Sequence, residues 1–352
     1  MANITSETIG CDLGDKRSEV CVLDADGNVK ARASVQTNAR AMRAWFTRAA
    51  AHVVIEVGTH SRWVSTLLRE LGHRVTVANP RRVRLISEND NKTDRHDAEL
   101  LARLGRADAK LLAPVIHRGM AVQADLAVVK SRDLLVATRT KLINHVRGAI
   151  KSFGERLPKG DAKAFARQTR SLIPATLKAA LEPIYETLEV INEQIREQEK
   201  MMERIAKRYP DVEVVSQPKG VGTVTSLAYV LSIEDKNRFA NSRAVGSFLG
   251  LRPRKQKSSE GDPQLRITKA GDGLVRRLLV NAANYILGPF GEDSDLRRWG
   301  LQLASRGGKN AKKRATVAVA RKLAVLMHRL WVTGEVYEAL GYHQRRHQRP
   351  AA

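Results

Sequence analysis

The spacing of apolar residues divides the chain into a first part that alternates strands with helices and a longer part that is helical. Short apolar runs predict strands over 9–14, 20–24, 53–56 and 74–78, with helices over 41–50 and 60–71. The turn Asp26-Gly27-Asn28 predicts a β-hairpin. Another helix is predicted to start at Thr93-Asp94, where Thr93 can cap it. We therefore expect an α/β domain over 1–112, in which helices cover a mixed sheet.

Strand signals stop near residue 113, and the rest of the chain is predicted to be all-α. A basic helical connector over 113–210 precedes a helical domain over 211–340 and a basic tail over 341–352. After Pro183 the connector has apolar residues spaced alternately four and three apart, which is a heptad seam. Such a seam pairs either with a second chain, as a coiled coil, or with a helix of the same chain, and the spacing leaves both open. Its positions are Ile184, Leu188, Ile191, Ile195, Gln198, Met202 and Ile205.

The charge of the chain predicts its partner. The 352 residues include 61 Lys and Arg against 37 Asp and Glu, a formal net charge of +24, and residues 211–352 alone hold 25 basic and 12 acidic residues. Such an excess indicates nucleic acid, because each phosphate contact releases a condensed counterion. No apolar run is long enough to span a membrane and no leader is recognised, so we expect a cytoplasmic protein. Cys11 and Cys21 are too few for a disulfide framework and are predicted to be buried.

Four carboxylates occupy positions that suit phosphodiester chemistry with two metal ions. Asp12 ends the first predicted strand and Glu56 ends the third, while Asp94 and Asp97 stand three residues apart at a helix start. Oxygen ligands of this kind bind Mg²⁺. Three of them also have simpler explanations. Asp94 can cap a helix, Asp97 can be a solvated acid of the first turn, and Asp12 can form a turn. Glu56 is harder to explain otherwise, because a carboxylate at the end of a buried strand is costly without a partner.

The motifs around these acids resemble one known family. They look like the DEDD, RuvC-like domain of the insertion-sequence-one-ten (IS-one-ten) transposases, a family that includes the Piv-type DNA invertases. The resemblance implies an RNase H-like fold in which the four acids bind Mg²⁺. The motifs are Gly10-Cys11-Asp12, Ile55-Glu56-Val57-Gly58-Thr59, Ala78-Asn79-Pro80 and Asn91-Lys92-Thr93-Asp94-Arg95-His96-Asp97-Ala98.

Two motifs in the C-terminal part have both a functional and an ordinary interpretation. Residues 218–222 contain Lys219, Gly220 and Gly222, and match the turn of a helix-hairpin-helix module, which presents backbone N–H groups to a phosphate. A tight turn before a core helix has the same pattern. Ser258 lies in a basic stretch where cations can stabilise an alkoxide and a pentacovalent phosphate. An ordinary flexible loop has this composition too.

The resemblance extends to this second half and selects the serine. Gly250-Leu251-Arg252-Pro253, Ile267-Thr268-Lys269-Ala270-Gly271 and Arg277-Leu278 follow in the family's order, and Gly307 to Arg314 match its end. The family serine lies five residues after the proline and eleven before the lysine, and both counts select Ser258. The chain has Ser258-Ser259-Glu260-Gly261 where the family commonly has Ser-Gly-Gly, so Ser259 is the second choice.

These features together predict a DNA transposase or site-specific recombinase. By resemblance, Ser258 forms a covalent phosphoserine intermediate with the help of Mg²⁺, and a structured noncoding guide RNA and a homo-oligomer, a dimer or tetramer, are implied. The acids and the serine lie far apart in sequence, so they must meet within one chain or between chains. Nucleic-acid contacts are predicted at Arg139, Lys141, Arg147, Lys151, Lys219, Gly220, Gly222, Arg254, Lys255, Lys257 and Lys269.

Two other functions use part of the same pattern. A metal-dependent junction-resolving nuclease would use the four acids and leave Ser258 idle. A non-catalytic nucleic-acid-binding protein would use only the charge, and the intact set of acids argues against it. A phosphate loop of the sugar-kinase type at Asp12-Leu13-Gly14 lacks the second glycine-rich loop that those ATPases need.

Overall fold

The computed structural model describes residues 7–80, 93–254 and 265–341. The chain divides into two compact units, Met1–Arg118 and Gly119–Ala352. None of the described helices is both long enough and apolar enough to cross a membrane.

The first unit is built on a five-stranded mixed sheet. Its order is β3-β2-β1-β4-β5, with β1–β2 and β2–β3 antiparallel and β1–β4 and β4–β5 parallel. This arrangement confirms the predicted mixed sheet with helices and agrees with the RNase H-like expectation. The strands are β1 (Thr8–Asp12), β2 (Arg17–Leu23), β3 (Val29–Gln36), β4 (His52–Glu56) and β5 (Arg74–Ala78), and the helices are α1 (Ala39–Phe46), α2 (Ser61–Glu70) and α3 (Asp94–Ala107).

The predicted turns and caps of this unit are confirmed in detail. In the β2–β3 turn the Asp24 carboxylate accepts hydrogen bonds from the backbone N–H of Asp26 and of Asn28, at 2.9 and 2.8 Å. Gly27 has a positive φ of 89°, which costs glycine little. At the start of α3, the Thr93 hydroxyl accepts from the His96 N–H at 3.3 Å. Local sequence alone is enough to specify these features.

The sheet is covered on both faces. One face packs on α1 and α2, with Phe46, Leu68 and Ile55 fully buried. The other face packs on α3, where Ala98 and Ala102 contact the side chains of the second strand. Cys11 and Cys21 are free thiols and fully buried, as predicted.

The second unit begins with a long helical hairpin. Helices α4 (Met120–Ser152) and α6 (Ala175–Ala206) pack along each other, and the short α5 (Phe165–Thr169) lies between them in sequence. The heptad seam of α6 faces α4, with Leu188 and Ile195 buried and Arg132 of α4 bonded to Glu199 of α6. Of the two interpretations that the spacing left open, the structure shows the one within a single chain.

One position of the predicted seam changes, and its other apolar positions are buried. Tyr185 rather than Ile184 is the buried residue at the first position, because its hydroxyl bonds Thr169 of α5 at 2.9 Å. Ile191 and Ile195 are 8% and 1% exposed inside this hairpin. They are therefore covered by the chain's own helix, so they do not form a free surface for a second chain.

The C-terminal helices form one core with the base of the hairpin. Leu126 of α4 and Met202 of α6 belong to the same hydrophobic cluster as the helices that follow. At its centre Tyr229 is fully buried and donates a hydrogen bond to the Ala324 carbonyl at 2.7 Å. The helices are α7 (Asp211–Ser216), α8 (Thr223–Ile233), α9 (Arg243–Phe248), α10 (Gly273–Leu287), α11 (Asp295–Ser305) and α12 (Ala311–Thr333).

Candidate functional site

Glycines at two points let α3 lie directly on the sheet and set its direction. A Cβ on Gly10 of β1 would overlap the backbone of Ala98 and Ala102, and a Cβ on Gly105 would overlap Val54 of β4. Gly10 and Val54 are register partners, and Gly105 also lies near His52, which pairs with Thr8. Helix α3 therefore runs antiparallel to β1, so its first turn lies toward the end of β1 that carries Asp12.

The four predicted acids belong to one edge of the first unit, which we call the acidic edge: Asp12, Glu56, Asp94 and Asp97. Asp12 and Glu56 end the neighbouring parallel strands β1 and β4, whose carboxyl ends lie at the same side of the sheet. Asp94 and Asp97 stand in the first turn of α3, where the helix dipole favours negative charge. The topology thus places at the same end of the sheet four acids that are spread over more than 80 positions of sequence.

A fifth acid at this edge, Glu19, was missed by sequence reasoning. It lies directly opposite Asp12 in the antiparallel β1–β2 register. Its carboxylate is 3.6 Å from the Nε of Arg95, which stands between Asp94 and Asp97 on α3. Burial, followed by the charges of Asp12 and Glu19, raises the pKa of the Cys11 thiol far above its usual range. The hairpin register was the signal that could have found Glu19.

Asp97 provides the structural indication of a cation. Only 5% of the residue is exposed, and its Oδ1 is buried without a hydrogen-bond partner among the residues that the structure describes. A buried carboxylate oxygen with no donor is costly, and a metal ion would satisfy it. The four carboxylates are hard oxygen donors and fit Mg²⁺ chemically. Within residues 7–80, 93–254 and 265–341, no three acidic, His or Cys side chains are grouped closely enough to hold an ion.

A polar chain lies beside the acidic edge, in the loops that follow β1 and β4. The Trp63 N–H donates to Nδ1 of His60 at 3.1 Å, so the proton of a neutral His60 is on Nε2. That Nε2 lies 3.4 Å from the Asp15 carboxylate. The arrangement fixes the His60 ring next to the loop that follows Asp12.

In the second unit the family motifs build a frame around the serine segment. Gly250 and Gly271 have positive φ values of 70° and 82°, and a Cβ on either would overlap the backbone beside the other. Arg276 of α10 donates to the carbonyls of Leu249 and Ala270, at 3.0 and 3.2 Å. An antiparallel bridge pairs Pro253 with Ile267. We call these residues, Gly250, Pro253, Ile267, Gly271 and Arg276, the serine frame.

The predicted nucleophile itself lies outside the described residues. This applies to Ser258, to the second choice Ser259, and to Lys255 and Lys257. The serine frame joins the two ends of that segment, because the Arg254 N–H donates to the Arg266 carbonyl at 3.0 Å. Arg254 and Lys269 are both exposed at this base.

A cationic cavity of about 1000 Å³ opens beside the serine frame. Pro253 and Ile267 of the frame line it, together with residues of α9, α11 and α12. Its described lining includes eight basic side chains and a single carboxylate, Asp295. Burial lowers the pKa of Lys322, whose Nζ lies 4.4 Å above the ring of Trp299. The basic residues are Arg243, Arg266, Lys269, Lys313, Arg314, Arg321, Lys322 and Arg329.

The turn before α8 has the predicted glycine geometry. Gly220 has a φ of 92°, and a Cβ there would press on Tyr285 of α10. Gly222 caps α8 without a side-chain bond, and Lys219 is exposed, 3.5 Å from Glu292. Because α8 is buried from Thr225 to Ile233, this turn is also what a core helix requires.

The four basic residues predicted on the hairpin are not equivalent. Lys141 and Lys151 are exposed. Arg147 donates to the carbonyls of Leu157 and Pro158, and Arg139 is only 7% exposed. The guanidinium groups of Arg139 and Arg147 therefore bond within the fold, whereas Lys141 and Lys151 are exposed.

Comparison with known proteins agrees with this reading of both units. A model of a DEDD transposase domain matches residues 9–154, and one described as "Transposase IS116/IS110/IS902 family" matches residues 212–292. The chain is 30% identical to the transposase for insertion sequence element IS1111A of Coxiella burnetii, over 94% of this chain and 90% of the relative. It is 26% identical to the transposase for IS1328 of Yersinia enterocolitica, over 96% and 99%.

The matched family models lie on both units, one on residues 9–154 and the other on residues 212–292. The matches cover both units, so the protein is a DNA transposase. More specifically, the chain belongs to the IS110 family of transposases.

Proposed function

We propose that this transposase cuts and rejoins DNA with Ser258 as a covalent nucleophile, assisted by Mg²⁺ at the acidic edge. The observation that carries the proposal is the serine frame, whose residues close the base of the Ser258 segment next to the cationic cavity. Cations around a serine lower the cost of its alkoxide and of the pentacovalent phosphate. The lining of the cavity supplies such cations beside the frame.

The covalent step exchanges one phosphorus–oxygen bond for another. The Ser258 oxygen forms a bond to phosphorus while the bond from phosphorus to one sugar oxygen breaks, and that sugar leaves as a hydroxyl. Rejoining reverses the exchange with a new sugar hydroxyl and releases the serine. No external energy source is needed, because the phosphodiester is replaced by a phosphoester of similar energy.

The acidic edge would hold the metal through Asp12, Glu56, Asp94 and Asp97. A bound Mg²⁺ would neutralise the negative charge that develops on the phosphate during strand exchange. The unpartnered Oδ1 of Asp97 supports this assignment. Glu19, opposite Asp12, adds negative charge at the same edge, while Arg95 balances part of it.

A structured noncoding RNA and further copies of the chain complete the proposal. The net charge of +24 and two separate basic regions, the exposed hairpin lysines and the cationic cavity, support a nucleic-acid partner. That RNA is part of it, and that copies of the chain assemble, is what the resemblance to the family implies. Sequencing the RNA that co-purifies with the protein, and light scattering with and without that RNA, test both parts.

The decisive experiment compares Ser258→Ala with Ser259→Ala. Both remove one oxygen from neighbouring positions, so they form a matched pair. We expect Ser258→Ala to bind nucleic acid but to give neither cleavage nor a denaturant-resistant protein–DNA adduct, while Ser259→Ala retains both. If only Ser259→Ala is inactive, the nucleophile is Ser259. Cleavage by both variants would rule out the covalent mechanism and favour a metal nuclease that acts through the acidic edge alone.

A further inference from the structure

A second cavity, of about 330 Å³, lies within the helical hairpin of the second unit. Helix α4 contributes Arg139, helix α6 contributes Asn192 and Ile195, and the segment at α5 contributes Lys163 and Arg167. The cavity is thus bounded by three parts of the chain that pack on one another, and it opens to solvent. It is separate in sequence from both the acidic edge and the serine frame.

Arg139 is a buried charge with an incomplete set of partners. Only 7% of the residue is exposed. Its Nη1 donates to the amide oxygen of Asn192 at 2.9 Å, but its Nε is buried without any acceptor among the described residues. The Asn192 amide is already fully oriented, because its nitrogen donates to the Lys163 carbonyl at 3.3 Å. A neutral amide is therefore the partner of a buried guanidinium.

The carboxylates of the cavity do not neutralise Arg139. Glu199 is 2.6 Å from Arg132 and 3.8 Å from Lys163, and Glu189 is 3.0 Å from Arg170. Burial and the neighbouring Arg132 charge both lower the pKa of Arg139, an effect that Asp161 and Glu199 only partly oppose. The guanidinium thus lies in an environment that is unfavourable to its charge.

The rim of the cavity adds further positive charge. Arg167 is exposed and forms no ion pair with the residues that the structure describes, and Arg196 pairs only with Glu193 on its own helix. Water could accept a hydrogen bond from the Arg139 Nε, but it would leave the net charge unbalanced. An anion with several acceptor oxygens would satisfy both, and phosphate fits the guanidinium fork best.

We propose that this cavity binds a single phosphate group through Arg139, with Arg167 at its rim. The source of that phosphate is the backbone of the nucleic acid on which the transposase acts, and this part rests on the proposed function. The site differs from a basic surface stripe, because one buried arginine and one amide would select a single phosphate rather than track many. We name it the hairpin phosphate site.

The experiment uses the full-length protein and inorganic phosphate as the first probe. Calorimetric titration at constant ionic strength is performed on the wild type and on Arg139→Met, Arg167→Gln and Arg204→Gln. Arg204 is an exposed arginine of α6 that lines neither cavity, so it matches Arg167 in charge change. We expect phosphate binding to weaken by about tenfold or more in Arg139→Met, as for loss of a charge-assisted bond, and less in Arg167→Gln. Arg204→Gln should bind as the wild type does.

The second arm identifies the source. Affinity for a DNA or RNA oligonucleotide is measured against salt concentration for the same variants. Loss of one phosphate contact should reduce the slope of log affinity against log salt by about 0.7 to 0.9 in Arg139→Met and in Arg167→Gln. Weakened phosphate binding with an unchanged slope would overturn the nucleic-acid source and leave free phosphate as the ligand.

Two further outcomes decide the site itself. If phosphate does not bind the wild type, or binds all three variants equally, the hairpin phosphate site does not exist. Because Arg167 is exposed, its variant folds even if Arg139→Met does not, and the comparison with Arg204→Gln still decides. The Ser258→Ala adduct assay is independent, so a failure of the proposed function and a failure of this site give different results.

Discussion

The acidic edge and the serine frame position the groups of the proposed mechanism in different ways. At the acidic edge the proposed metal ligands themselves end two strands and begin a helix, so the sheet and the packing of α3 determine where they lie. The residues of the serine frame have no chemical step in the proposed mechanism. Gly250 and Gly271 let two backbone segments pack closely, and Arg276 donates hydrogen bonds to a carbonyl of each segment. These two segments lead to the ends of the stretch that carries Ser258.

The two regions require glycine for different physical reasons. Gly10 has no positive φ and is required only because α3 approaches β1 closely. Gly250 needs both a left-handed conformation and the space that a Cβ would fill. Damage at Gly10 should therefore spread through a whole unit, whereas damage at Gly250 should be largest at the serine frame.

The largest effect is expected from Gly10→Val. Its side chain would overlap the backbone of Ala98, so α3 cannot dock, and we expect a loss of about 3 kcal/mol or more of unfolding free energy. Chemical denaturation of the full-length protein measures it. Gly58→Ala is the control, since a Cβ at Gly58 meets no atom of the described residues within 4 Å. A wild-type unfolding curve for Gly10→Val would mean that α3 does not pack on β1 in this way.

The next prediction separates two costs in the second unit: the cost of a left-handed backbone conformation and the cost of steric overlap with a Cβ. Gly250→Ala and Gly307→Ala both place alanine at a φ near 70°, but only Gly250 has backbone in the way. We expect a loss of about 2–3 kcal/mol of unfolding free energy for Gly250→Ala and about 1 kcal/mol for Gly307→Ala. DNA cleavage should be lost only in the first. Equal losses in the two variants would show that the close approach of Gly250 to Ala270 is unimportant.

A smaller effect tests the metal at the acidic edge without using activity. Asp97→Asn removes the charge from a buried oxygen that has no donor in the described part of the chain, so without metal it should raise the unfolding free energy by about 1–2 kcal/mol. Adding Mg²⁺ should raise the thermal midpoint of the wild type and of Asp26→Asn, an exposed acid of the β2–β3 turn, but not of Asp97→Asn. The same Mg²⁺ shift in all three proteins would remove Asp97 from the metal site.

The smallest effect is the pH dependence of the unfolding free energy that His52 causes. His52 begins β4, whereas Glu56 of the acidic edge ends it. Burial, followed by the charge of Arg74, lowers the pKa of His52 to about 4, while its ring bonds Thr76 at 2.8 Å. The unfolded chain then binds more protons than the folded chain between pH 6.5 and 4. Stability is therefore present above pH 6.5 and is lost as the pH falls, by about 1 kcal/mol between pH 7 and 5.5.

His52→Gln should flatten this part of the stability curve, because it removes the titrating group but can still bond Thr76. His117 also has a pKa lowered to about 4, so some pH dependence should remain in the variant. Unfolding free energies measured at pH 7 and pH 5.5 give the comparison. An identical pH dependence in wild type and variant would mean that the pKa of His52 does not change on folding.

Sequence reasoning identified elements and motifs better than it identified partners. Four of the five strands, the β2–β3 turn and the Thr93 cap follow from local spacing and side-chain chemistry, and the structure has them close to where they were expected. The spacing of apolar residues did not mark β3 (Val29–Gln36), because most of its side chains are not buried. The heptad seam was equally visible, but a repeat of apolar residues does not say which helix covers it. Only the long α4 of the same chain, lying along α6, decided that.

Charge was predicted in total but not in detail. Composition indicates a polyanion partner, and nothing in the sequence distinguishes exposed Lys141 from buried Arg139 on the same helix. Both lie in a basic helical segment, and their difference comes from the α5 segment and α6 packing over one side of α4. The same is true of Glu19, which became part of the acidic edge only through its register opposite Asp12.

The sequence by itself determined the local conformations, the residue types of the acidic edge and the order of motifs that marks the family. These depend on interactions between neighbours, on backbone freedom at glycine and on the chemistry of single side chains. The tertiary structure decided the direction of α3 over the sheet, the hairpin that buries the seam of α6, and the close approach of Gly250 to Ala270. Such features join residues distant in sequence, and they arise from close packing and strand register, which no local pattern encodes.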